Sequence, residues 1–218
     1  MSGIVGSSHN IRGSGIVAKL GTDGQVFTSA GAGLKQGFEA AAGGAHTLLN
    51  TTTVSSAVAS VTINPPFSST YFSYLIRIEK FIPDTDCSIF LTFLEADDSE
   101  TTTDYWWGGS GVTSNGGSLV TGHASVASEV NFMGGTNASY LMETASLASG
   151  YFTLYGPQTG TATSGTAELV WENGAVSARS HIHNVAFMVD DTTVFTQFKI
   201  AANTGNIDSA VIKTYGVS

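Results

Sequence analysis

The side chains in this 218-residue sequence best suited to chemistry are a histidine pair, three carboxylate clusters, one thiol and one aromatic triplet. His181 and His183, in "SHIHN", lie two apart, so on a strand both point to one face and could grip a metal. No third ligand stands nearby, and His9, His46 and His123 sit in unrelated contexts. The pair therefore reads as hydrogen-bonded interface or surface residues. The clusters "PDTD", "EADDSE" and "VDD" lack the spaced oxygen ligands and glycine of a calcium loop, and turn capping accounts for them. Asp104 and Glu129 could serve as the acid and base of a glycan-cleaving enzyme, yet nothing singles them out from the other carboxylates. Cys87, the sole cysteine, opens the apolar run of "DTDCSIFLTF" and reads as a buried structural thiol. The glycines of "GAGLKQG" lack the preceding strand and following long helix of a phosphate cradle. No catalytic residue, metal site or cofactor is expected.

The aromatic triplet is the most suggestive surface feature. In "TTTDYWWGGSG", Tyr105, Trp106 and Trp107 stand between a threonine run and a glycine-rich stretch, and adjacent side chains on an extended chain point to opposite faces. At least one indole then faces away from its own sheet. Flat aromatics beside Asp and Ser can stack on sugar rings while the polar groups bond the hydroxyls. The competing reading places one Trp in the core and the other in a subunit contact. Tyr105, Trp106 and Trp107 are thus candidates for glycan binding or for an interface.

Composition narrows the setting for such a site. Charged residues make up only 11% of the chain, against roughly 25% in an ordinary soluble domain, so Ser, Thr, Asn, Gln and Gly must cover much of the surface. An uncharged polar surface costs little to desolvate at a protein interface. The formal net charge is −9, and the 8 Lys and Arg are scattered singly. Direct binding to nucleic acid or to an anionic bilayer is not expected. "MSGIVGSSHNIRGSG" has neither the basic start nor the apolar core of a secretory signal, and no apolar run is long enough to span a membrane. Synthesis in a cytoplasm is expected.

Two regions with different patterns must position these residues. From residue 1 to residue 44 glycine recurs throughout, the only aromatics are Phe27 and Phe38, and no period is sustained. Alone, this segment buries too little apolar surface to offset the entropy of ordering it. From residue 45 to residue 218 the chain becomes a series of short alternating segments. In "YFSYLIRIEKFI", Phe72, Tyr74, Ile76, Ile78 and Ile82 are expected on one face and Ser73, Arg77 and Glu79 on the other. With "CSIFLTFLEA" it is expected to form a hairpin through the turn "PDTD". Further strands are expected at "SVTI", "YFTLYG", "AELVWEN", "HIHNVAFMVD", "TVFTQFKIA" and "NIDSAVIKTYGV", with long loops between Asp97 and Gly122. The nearest approach to a helix, "GFEAAAGGAHTLL", is interrupted by Gly43 and Gly44. The expected fold is all-β: an antiparallel β-sandwich of jelly-roll type on an extended glycine-rich N-terminal anchor.

"GTDGQVFTSAGAG", from Gly21 to Gly33, resembles the "G-T-x-G-Q-V-L-T-S-x-G-A-G" element near the start of tail-fibre and other virion structural proteins of tailed bacteriophages. "MSGIVGSSHNIRGSG" and "IDSAVIKTYGV" are similar to the ends of such proteins, while the middle matches only in style. Many relatives carry Pro and then Trp after the glycine run, where this chain has Gly37 and Phe38. The resemblance implies a non-enzymatic virion protein, made in the bacterial cytoplasm and carried on the particle. "NTT" and "NAS" would then not meet glycosylation machinery.

Physical reasoning adds a docking role for the first segment. Gly13, Gly15, Gly21, Gly24, Gly31 and Gly33 permit close approach of chains about an axis or in a partner's groove, with Val26, Phe27, Leu34 and Phe38 as apolar anchors. The expected assembly is a homotrimer bound to other virion proteins of the tail or capsid. As a tail-fibre or tail-tip protein it would touch host surface polysaccharide. The alternative is a capsid decoration or head-fibre protein that bridges capsomers.

Overall fold

The computed structural model describes residues 25–28, 37–40, 45–64, 66–114, 119–133, 141–173 and 179–218. The chain divides into two units, Met1–Gly44 and Ala45–Ser218. In the first, β1 (Gln25–Thr28) pairs antiparallel with β2 (Gly37–Ala40), and Phe27 lies opposite Phe38 in the register. The stretch nearest to a helical pattern thus supplies β2 instead, as well as the start of the next strand.

The second unit contains β3 (His46–Val54), β4 (Ser60–Ile63), β5 (Ser73–Pro83), β6 (Ile89–Leu94), β7 (Tyr105–Thr113) and β8 (Leu119–Ala127). It continues with β9 (Val130–Asn131), β10 (Ala148–Tyr155), β11 (Thr163–Asn173), β12 (Arg179–Val189), β13 (Gln197–Ala202) and β14 (Ile207–Val217). These strands form an eight-stranded sheet, ordered β3-β14-β5-β10-β11-β12-β7-β8, and a four-stranded sheet, ordered β4-β13-β6-β9. Every described pairing is antiparallel. The architecture is all-β, with two antiparallel sheets packed as a sandwich.

Chain order and strand order are nested. The first strand of this unit pairs with the last, β3 with β14, and β4 pairs with β13. Two four-strand sets result, β3-β14-β5-β10 and β4-β13-β6-β9, and the hairpins β7–β8 and β11–β12 widen only the first set. The large sheet therefore carries four added strands beyond the pair of matched sets.

Aromatic side chains bind the layers together. Phe152 of β10 meets Phe198 of β13 edge-on at 5.7 Å, and Tyr105 of β7 lies parallel to Phe93 of β6 at 6.3 Å. Full burial of Phe, Ile or Leu side chains contributes about 1.5–3 kcal/mol each. Cys87 is wholly buried among them, and burial pushes its thiol up to about 12. It is an inert structural group, as the sequence indicates.

Four sequence expectations need correction. β5 and β6 do not form a hairpin: β5 lies between β14 and β10, while β6 lies between β13 and β9. "PDTD" instead carries the chain from one sheet to the other, and Asp84 holds the turn by accepting from the Asn206 backbone N–H at 2.7 Å and from its Nδ2 at 2.8 Å. Within β5, Ile78 faces Ile212 while Lys80 faces Val211, so Glu79 is an extra residue. This bulge reverses the alternation, burying Phe81 rather than Ile82, and Phe72 before the strand stays 65% exposed. The span from Asp97 to Gly122 is not a long loop but contains β7 and the start of β8. Finally, His181 and His183 are buried on the inner side of β12 rather than at the surface.

Candidate functional site

The exposed face of the large sheet is built by the residues that alternate with the core. On β12, His181, His183, Val185, Phe187 and Val189 point inward, leaving Ile182, Asn184, Ala186 and Met188 outward. The strand register aligns these outward residues into transverse rows with their neighbours on β7, β11 and β10. One row runs Trp106, Met188, Ser164, Tyr155. The next runs Gly108, Ala186, Thr166, Thr153, followed by Ser110, Asn184, Glu168, Tyr151. A fourth runs Leu119, Val112, Ile182, Val170.

Side-chain size along the rows shapes the surface. Gly108 and Ala186 are low, while large side chains stand to either side, so a trough of about 540 Å³ crosses β7, β12, β11 and β10. A second hollow of about 340 Å³, lined by Trp106 and Met188, shares Gly108 and Ala186 with the first and continues it toward β8. At the β10 side, the Thr153 and Thr166 hydroxyls lie 2.9 Å apart and bond each other. Tyr151, 42% exposed, lines the trough on β10, Trp106, 43% exposed, lines the adjoining hollow, and Tyr155, also 42% exposed, stands on β10 at the far end of Trp106's row.

The edge beside Trp106 is bent. Tyr105 faces Ala127 and Trp107 faces Ala124, so β8 carries one extra residue there. Val126 in this bulge has φ 54°, a left-handed conformation that a β-branched residue rarely adopts. Such strain costs roughly 1–3 kcal/mol and persists only where surrounding structure enforces it.

The three aromatics of the triplet have three different environments. Tyr105 is fully buried, and its hydroxyl accepts the Phe93 backbone N–H at 2.8 Å. Burial pushes its phenol far above the ordinary range. Trp107 is half-buried and packs against the core, so Trp106 alone presents its ring on the outer face. Of the residues assigned to docking, Val26, Phe27 and Phe38 lie on the β1–β2 pair. Gly13, Gly15, Gly21, Gly24, Gly31, Gly33 and Leu34 lie outside the described residues.

The histidine pair forms part of the interior. Its neighbour Trp171 stacks on His181 at 5.2 Å and 7° and meets His183 edge-on at 6.3 Å. The Phe132 carbonyl can only accept, so the His183 Nδ1 donates to it at 2.9 Å and the neutral ring is protonated there. Burial holds this imidazole below its ordinary value. Among the described residues no group of three or more His, Cys, Asp or Glu is placed to hold a metal ion. Asp97 and Asp191 each accept the backbone N–H two residues on, the capping role their clusters indicate, whereas Asp84 accepts from Asn206 in another loop.

Sequence reasoning missed Tyr151, Tyr155, Glu168, Asn184 and Met188. A signal was present in "HIHNVAFMV", where Ile182, Ala186 and Met188 put apolar residues on the second face of a strand whose first face already fills the core. No protein-family model, curated protein or solved structure matches the chain.

Proposed function

We propose that the chain is a virion structural protein of a tailed bacteriophage. Residues 1–44 attach it to the particle, and residues 45–218 form a homotrimeric head that contacts the host surface. The leader resemblance in "GTDGQVFTSAGAG" supports the particle assignment. The nested strand order supports a jelly roll enlarged by two hairpins, an architecture shared by viral capsid and lectin domains. Fold alone does not give function. The observation that carries the reading is the outer face of the large sheet, where aromatic, apolar and polar rows lie exposed side by side.

The test is the protein's position on intact particles. Antibody against the full chain should label the tail or tail tip of the phage that encodes it. Label over the capsid identifies a decoration protein, and unlabelled particles refute the virion assignment. In parallel, the free protein should sediment at three times its 22.5 kDa chain mass.

A further inference from the structure

We infer that the trough across β7, β12, β11 and β10 binds a short, uncharged oligosaccharide. The inference rests on the host-contact reading and adds to it a site and a ligand class. Adjacent strands are about 4.8 Å apart, so the four strands give a track about 14 Å long, matched to a few linked sugar rings. The low positions Gly108 and Ala186 let a ligand approach the backbone closely. Tyr151 on the trough wall and Trp106 in the adjoining hollow are exposed aromatics whose flat faces suit the C–H faces of pyranose rings.

Polar chemistry selects the ligand. Ser110, Asn184 and Glu168 stand on three successive strands, and no other described residue engages their side chains in a hydrogen bond. Together they offer a hydroxyl, an amide with donor and acceptor ends, and a carboxylate that accepts. Sugar hydroxyls both donate and accept, so they can satisfy all three. A second copy of this chain, with only 8 Lys and Arg, has few cations to set against the Glu168 carboxylate. An acidic glycan would meet that carboxylate and a chain of net charge −9. An uncharged glycan brings no like charge, and its hydroxyls donate to the carboxylate.

The experiment titrates the full chain, followed by intrinsic tryptophan fluorescence and calorimetry. The probes are neutral oligomers of β-1,4-glucose, mannose, galactose and N-acetylglucosamine, with polygalacturonate as the acidic comparison. Saturable binding to at least one neutral probe is expected, with none to polygalacturonate. Trp106→Ala and Glu168→Gln should each weaken binding by about tenfold or more. Trp106→Phe, which keeps a flat ring, should retain most of the affinity at an unchanged unfolding midpoint.

Absence of saturable binding to every neutral probe overturns the inference. Equal affinity in Trp106→Ala and Tyr151→Ala does the same, as does dissociation of an oligomer by either change, which would make the trough a subunit contact. Particle labelling is read separately. Labelled particles with no glycan binding remove the trough alone, and glycan binding with unlabelled particles removes the virion reading alone.

Discussion

His183 shows how one buried side chain constrains its neighbours. A Cβ at Gly109 would lie 2.6 Å from the His183 Cε1, and one at Gly111 would lie 2.7 Å from its Cδ2 and overlap the Ile182 carbonyl. These glycines therefore belong to a strand and make room for an imidazole on the next one. Gly111→Ala should cost about 1–3 kcal/mol by overpacking. Gly108→Ala, whose added Cβ would lie 3.8 Å from the His123 Cβ on the outer face, should be neutral or stabilising by up to about 1 kcal/mol. Urea denaturation of the two variants checks the contrast. Acid sensitivity follows from the same ring. An unfolded histidine titrates near 6.5, whereas burial keeps folded His183 neutral to lower pH. As pH falls through about 6.5 the unfolded state binds a proton that the folded state refuses, so stability declines until the depressed folded value is passed. Glu129 acts oppositely, because burial raises its carboxyl and acidification relieves that penalty. Asp84 and Asp97, lowered chiefly by hydrogen bonds from Asn206 and Ser99, act only below about 4. Wild type should lose stability between about pH 7 and pH 5.5, and His183→Gln should flatten that slope. Equal slopes in the two proteins would refute the assignment.

Among the elements, the β7–β8 hairpin is tied to the opposite sheet by a buried polar contact. The Tyr105 hydroxyl crosses the interior to accept the Phe93 N–H of β6, beside a stacked pair of rings. Tyr105→Phe keeps the ring and leaves that buried N–H unpaired, at a cost of about 1–3 kcal/mol. Faster amide exchange at Phe93 and a lower unfolding midpoint are expected. Unaltered exchange would show that the bond carries no weight. Tyr105 also marks the limit of what the sequence discloses. Alternation located β5, β10, β11, β12, β13 and β14, because one face of each strand must be apolar. Alternation does not say which sheet a strand joins, so β5 and β6, adjacent in sequence with a strong turn between them, read as a hairpin and are not one. Nor does it disclose a bulge, since the extra residue at Glu79 changes parity without changing composition. β7 and β8 escaped notice because Gly108, Gly109 and Gly111 look like loop residues until His183 supplies the reason for the last two. The candidate trough was legible only through Trp106, since register alone brings Asn184, Glu168 and Tyr151 beside one another.

For the whole molecule, the fourth row of the outer face bears on assembly. Scattered exposed apolar residues need no explanation, but Leu119, Val112, Ile182 and Val170 lie in line on four successive strands, 66%, 50%, 48% and 38% exposed. With so few charges available, the chain has little means of breaking up this row, and a second copy of the same low-charge surface is its most compatible cover. The row lies beyond Ser110, Asn184 and Glu168, away from Trp106 and Met188, so a subunit seated on it leaves the trough open beside the contact. Val112→Lys combined with Ile182→Lys places two cations in the row, where desolvating them opposes association. The double variant should sediment as a monomer while its unfolding curve keeps a single cooperative transition and its oligosaccharide affinity is retained. A variant that remains trimeric assigns the contact to another surface. A monomeric wild type removes the trimer itself, and loss of sugar binding on dissociation would mean that the trough needs the neighbouring subunit to complete it.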